Sequence, residues 1–233
     1  MPDAASHLHS LQKQVIACRR CARLVLYCRK VAKEKRRMFR DHEYWGRPVP
    51  SFGDPAAELL ILGLAPAAHG ANRTGRMFTG DRSGEFLYRA LHEAGFASRP
   101  ESLSRDDGLT LRNCYITASL RCAPPQNKPR PEELRNCQPY FEMEIELLKR
   151  VRAVLALGRI AFDTYLRVVS GRIDFPRRSS FQFAHVASFA LPDGLPRLFA
   201  SYHPSQQNTQ TGRLTREMFR RVLDDIQTFL KSS

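Results

Sequence analysis

Four short apolar runs constrain the fold of this chain more than any other feature: Glu58–Leu64 (ELLILGL), Asn113–Leu120 (NCYITASL), Val151–Leu157 (VRAVLAL) and Arg197–Tyr202 (RLFASY). Each is nearly continuous in apolar residues instead of alternating with polar ones, which is the pattern of a strand covered on both faces. Helical spacing fills the intervals. Ser83–Ala94 puts Phe86, Leu87, Ala90, Leu91 and Ala94 on one face, with Ser83 as the expected cap. Pro131–Lys149 opens on PEEL and meets Pro139, which is expected to break or kink it. Arg159–Val169 is a third such stretch, and Leu214–Leu230 repeats Leu214, Met218, Val222, Ile226 and Leu230. Strands alternating with helices call for right-handed crossovers and a parallel sheet, so the fold class is α/β.

At 233 residues the chain suits one domain with terminal extensions. Residues 1–50 carry a basic, helical KEKRRMFR stretch and an extended arm, YWGRPVPSFGDP, expected to wrap onto the core. Residues 170–196 read as an irregular strand or hairpin with surface arginines. The turns GLAP, RCAPPQN, GRIA and HPSQQN follow the four runs in order. In open parallel sheets ligands bind at the carboxyl ends of the strands, so the unusual residues collect on one rim.

With 37 Lys and Arg against 23 Asp and Glu, the formal net charge is +14, which favours a polyanionic partner, nucleic acid first. A generally basic protein is the plainer alternative. No apolar run reaches the roughly eighteen residues of a membrane span, and the first residues lack a hydrophobic signal core, so a cytoplasmic protein is expected.

Cys18 and Cys21 form a C-x2-C pair, while Cys122 and Cys137 flank the loop after the second run. Four thiolates from two distant segments can enclose one metal centre. Structural zinc and a 4Fe-4S cluster are both compatible with this donor set, and unrelated buried thiols are the alternative. Cys28 and Cys114 sit in apolar stretches and read as core residues.

The stretch GLAPAAHGANRTGRMFTGD, Gly63–Asp81, looks at first like a phosphate loop. A P-loop needs Lys and Ser or Thr after its last glycine, and here Arg76 and Met77 follow Gly75. The spacing of Gly63, Gly70, Gly75 and Gly80 also fails the dinucleotide fingerprint.

That stretch, together with RCAPPQNKPRPEE and YHPSQQNTQTGRLT in this order, resembles the uracil-DNA glycosylase superfamily, family 5, the iron–sulfur type b. The resemblance extends over nearly the whole chain. It implies a three-layer α/β/α domain around a four-stranded parallel sheet, and a 4Fe-4S cluster on Cys18, Cys21, Cys122 and Cys137. It implies a base-excision repair hydrolase that acts, as a monomer at the nucleoid, on DNA containing uracil or other deaminated bases such as hypoxanthine and xanthine. Such an enzyme flips its target base into a pocket and cuts the N-glycosidic bond.

The roles the resemblance assigns are specific. Phe78 stacks on the base, in a pocket completed by Gly63, Leu64, Ala65 and Ala118. His203 hydrogen-bonds the carbonyl oxygen of the leaving base, Asp81 orients water or stabilises the sugar cation, and Asn127 assists. The simpler readings are a helix cap for Asp81 and a turn residue for Asn127. Ser205, Gln206, Gln207 and Asn208 would enter the minor groove, with Arg73 or Arg213 near phosphates. Two departures stand out. Leu64 and Ala65 are apolar where several relatives carry a polar side chain, and ITASLRC offers Ala118 and Ser119 where uracil-strict relatives have an Asn, which should widen the substrate range. A non-catalytic nucleic-acid-binding protein on the same scaffold is the alternative function. An iron–sulfur redox protein would need a second cofactor motif, and the sequence has none.

Overall fold

The computed structural model describes residues 4–232. In chain order its elements are α1 (Ala4–Ala17), α2 (Ala22–Glu34), β1 (Phe52–Gly53), β2 (Leu59–Gly63), α3 (Ala71–Thr74), α4 (Arg82–Glu93), β3 (Cys114–Ala118), α5 (Pro131–Leu147), β4 (Ala153–Leu157), α6 (Arg159–Ser170), β5 (Ser188–Phe189), β6 (Arg197–Ser201), α7 (Gln206–Gln210) and α8 (Arg216–Lys231). The sheet order is β1-β3-β2-β4-β6-β5. The four central strands are parallel, as their sequences predict, and β1 and β5 add two short antiparallel edges. Among the described residues the sheet therefore has six strands, and the expected four form its centre.

Every residue of β2, β3 and β4 is buried. Alternate residues serve opposite faces, as the pleat requires. Leu59 and Ile61 join Leu87, Leu91, Phe219 and Leu223 beneath α4 and α8, while Leu60 and Leu62 join Phe141, Phe162 and Tyr165 beneath α5 and α6. This is the three-layer sandwich.

The N-terminal arm is tied down by a buried polar network. Arg121 and Glu144, both essentially inaccessible, pair at 2.6 Å, and Arg121 also donates to the Ser51 hydroxyl. Thr117 Oγ1 donates to Glu144 at 2.6 Å, and Gln12 of α1 accepts from the Ser51 N–H at 2.9 Å. A charge pair this deep is tolerable because such partners meet most of its polar atoms, Arg121 Nε being the one left without a hydrogen bond.

Several local expectations are corrected. Pro139 does not break α5, which runs through it, because Cys137, Tyr140, Phe141 and Glu144 on both sides are buried and hold the helix in register. Asp81, not Ser83, caps α4. The KEKRRMFR stretch is not one helix: α2 ends at Glu34, Lys35 turns left-handed with φ 50°, and only Arg37–Phe39 form a short 3-10 turn. Within residues 170–196 a 3-10 turn at Arg178–Ser180 precedes β5.

Candidate active site

Three strand ends build the site. At the end of β2, the Gly63 carbonyl accepts from the Ser119 N–H at 2.9 Å and from its hydroxyl at 3.2 Å. Gly63 lies beside Ala118 of β3, and a Cβ on Gly63 would sit 2.9 Å from the Phe78 ring. The Phe78 ring in turn stacks on His203, which follows β6, with centroids 5.9 Å apart and planes 29° from parallel. Gly63, Phe78, Ala118 and His203 therefore form one group. Leu64 and Ala65 are partly exposed on the turn; the Leu64 carbonyl accepts from the Leu120 N–H and Ala65 packs toward the cysteine cluster.

Phe78 holds a left-handed backbone, φ 53°, which a bulky residue adopts only when its neighbours are fixed. They are fixed here. The Met77 carbonyl accepts from the buried Tyr88 hydroxyl at 2.8 Å, and Thr79 Oγ1 bonds Ser102 Oγ at 2.6 Å. Arg76, 2 % exposed, grips Asp107 through two hydrogen bonds of 2.9 and 2.7 Å and also donates to Ser102 and Thr79. Burial opposes ionisation of Asp107, but Arg76 and the N–H groups of Leu109, Leu103 and Ser104 outweigh it and hold the carboxyl well below the usual carboxylate range. Gly84 presses on the same segment, since a Cβ there would overlap the Phe78 carbonyl.

Asp81 caps α4 through Oδ1, which accepts from the Gly84 N–H at 3.0 Å. Its other oxygen, Oδ2, lies against Gly70, where any side chain would collide with it. The cap reading is thus correct, and it leaves one carboxylate oxygen directed at the motif loop. Burial raises the Asp81 carboxyl above its ordinary value, against the lowering effect of the Gly84 and Ser83 N–H groups. Burial pushes His203 down to about 4, so its imidazole is neutral near pH 7. The His203 carbonyl accepts from the Ser205 N–H at 2.7 Å and from Asn208 Nδ2 at 2.8 Å, and Ser205 Oγ caps α7 by accepting from the Asn208 N–H. Ser205 and Asn208 thus shape the turn that holds His203. Gln206, Gln207 and Arg213 are exposed beside it, Arg213 with its guanidinium 4.7 Å from the centre of the Tyr202 ring.

One arginine differs from expectation. Arg73 is 7 % exposed, donates to the carbonyls of His69 and Gly80, contacts His42 and lies 4.0 Å over the Phe39 ring, so its charge is spent inside the protein and not offered to phosphate. Arg76 is likewise internal. Asn127 ends a 3-10 turn, exposed and left-handed at φ 57°, and among the described residues no hydrogen bond links it to Asp81 or His203. It lines a groove of about 610 Å³ instead.

None of the six cysteines is joined in a disulfide. Cys122 and Cys137 are buried with Leu24, Cys28 and Leu120, and Cys21 packs on that cluster. Cys18 lies within electrostatic reach of Cys21, Cys122 and Cys137. Asn136 Nδ2 donates to the Cys21 sulfur at 3.5 Å, and the Arg121 N–H donates to that of Cys137, whose thiol burial pushes up to about 11. Among the described residues no three His, Cys, Asp or Glu side chains close on a single ion. Cys28 and Cys114 are fully buried, in keeping with core roles.

The Arg76–Asp107 clamp escaped the sequence reading because its partners lie 31 residues apart and Asp107 sits in a stretch without periodicity. Only the pairing of a motif arginine with some remote acid could have signalled it.

A family model for the uracil DNA glycosylase superfamily matches residues 50–227. The chain is 57 % identical over 207 residues to a type-5 uracil-DNA glycosylase of Thermus thermophilus, covering 89 % of this chain and 91 % of that one. It is 49 % identical over 227 residues to the type-5 uracil-DNA glycosylase of Mycobacterium bovis, covering 97 % and 81 %, and 46 % identical over 210 residues to that of Pyrobaculum aerophilum, covering 90 % and 88 %.

Proposed function

Because the chain belongs to the uracil DNA glycosylase superfamily, we propose that it flips deaminated bases out of DNA and hydrolyses their N-glycosidic bonds, leaving abasic sites. The observation that carries this reading is the clamped Phe78 ring, set against Gly63 and stacked on His203, with Asp81 in the same loop. Phe78 supplies an aromatic face for the extruded base. A neutral His203 can donate one N–H to a base carbonyl that gains negative charge as the bond breaks. Asp81 Oδ2, on the Gly70 side of the carboxylate, would orient water toward the sugar carbon, a task that apolar Leu64 and Ala65 cannot perform through their side chains.

Hypoxanthine and xanthine belong in the substrate range on this reading. Ala118 has no polar group, and the Ser119 hydroxyl is engaged by the Gly63 carbonyl, so at this strand end no free amide discriminates among base edges. Duplexes carrying uracil or hypoxanthine, treated with the protein and then with alkali, test this. Cleavage at both lesions is expected, and cleavage at uracil alone would remove the broadened range.

Cys18, Cys21, Cys122 and Cys137 would hold a 4Fe-4S cluster. An all-thiol donor set joined by N–H donors to two of the sulfurs suits thiolate ligation. When bound, the cluster would supply a rigid cross-link between α2, α5 and the loop after β3. Iron and sulfide content and visible absorption, lost on Cys122→Ala, check it.

A further inference from the structure

The groove lined by Asn127 lies outside the catalytic group, and none of the roles above accounts for it. It runs between the first two turns of α5 and one side of α6, from Ile160 in the first turn of that helix to Arg167 in its last. These helices follow β3 and β4, the two neighbours of β2, and both pack on the same sheet face. Its Asn127–Ile160 end therefore lies toward the carboxyl-end rim of the sheet. Gly158, the residue that precedes α6, borders His203, since an added Cβ there would lie 3.4 Å from the His203 Cβ.

Its walls are polarised. Lys128, Arg135 and Arg167 line it, and among the described residues none of them is paired with a carboxylate. Its one acid, Asp163, is engaged by Arg159 at 3.7 Å. The floor is apolar, with Pro131, Leu134 and Ile160, the last 38 % exposed. Unpaired cations around an apolar floor match a phosphodiester strand, whose phosphates take the charges while a sugar edge covers the floor. At about 610 Å³ the groove has the size of a small-ligand site, enough for a nucleotide-sized piece of strand.

We propose that this groove holds the backbone of the damaged strand next to the extruded nucleotide, with Lys128, Arg135 and Arg167 on its phosphates and Asn127 at its mouth. The assignment rests on the reading of the chain as a DNA glycosylase. It places the positive contacts on solvent-accessible cations and not on Arg73, which is buried.

The test measures binding of a duplex containing an abasic-site analogue across a salt series, for the full chain and two charge-matched variants. R135E/R167E is expected to weaken Kd at least tenfold at moderate salt and to lower the slope of log K against log salt by about two, near 0.9 for each lost phosphate contact. R220E/R221E, altered on the exposed side of α8, is expected to retain the parent slope. Lys128→Glu on the exposed loop gives an independent reading if the double variant unfolds, as judged by circular dichroism. Equal losses in both double variants would mean that only net charge matters, and unchanged slopes would mean that no strand lies there; either result overturns the proposal. Excision of uracil by the parent chain is assayed separately, so failure of the enzymatic reading is distinguishable from failure of the groove.

Discussion

At Asp81, one carboxylate caps a helix and, on the proposed function, also serves the reaction. Oδ1 fixes the first turn of α4, and Oδ2, against Gly70, is the atom to which the proposed function gives the water. Asp81→Asn keeps the shape and an acceptor for the cap but loses the charge, so excision should fall by two orders of magnitude or more while the melting temperature changes little. Because burial raises the Asp81 carboxyl, the acid limb of the kcat/KM profile should lie above the ordinary aspartate value of 3.8, and a limb at or below that value would contradict the assignment. His203 behaves oppositely. Its folded value of about 4 lies below the ordinary 6.5, so between these values the unfolded chain takes up a proton that the folded chain refuses. Stability should therefore fall on acidification through that window, and His203→Gln should flatten that part of the stability–pH curve.

The elements explain how the sequence keeps a strained Phe78 in place. The loop before β3 closes on the glycine-rich loop through Arg76 and Asp107, and α4 abuts the Phe78 carbonyl at Gly84. Asp107→Ala leaves Arg76 buried and unpaired, which costs about 3–5 kcal/mol for a pair of this burial; urea unfolding checks it. The Asp107 carboxyl is held below the usual range, so its stabilisation is complete above that range and is lost as pH falls through it. Gly84→Ala forces a methyl into a backbone oxygen and should displace Phe78, lowering excision more than global stability. Binding of free uracil, followed by tryptophan-independent calorimetry, should weaken in the same variant.

Across the whole molecule, the continuous apolar runs made the parallel sheet legible, because strands buried on both faces leave no other pattern. Phe78 and His203 were legible as a pair only through long motifs, since a lone ring or imidazole is usually core. The two edge strands were not legible, being two residues each, and Pro139 misled because local propensity yields to packing on both sides of α5. Arg73 misled for a related reason: a sequence records a cation but not whether a carbonyl or a solvent-facing phosphate will meet it. A net charge of +14 is consistent with a DNA substrate, and no helix among the described residues is long and apolar enough to cross a membrane.

The most direct test is the single-turnover rate of abasic-site formation in a uracil-containing duplex, read by alkaline cleavage, for the parent chain, Asp81→Asn and His203→Ala. The geometry predicts rapid excision by the parent and a loss of about a hundredfold or more in each variant. Parent-like rates in both variants would place the chemistry elsewhere, and no excision by the parent chain would leave a DNA-binding protein on a glycosylase scaffold.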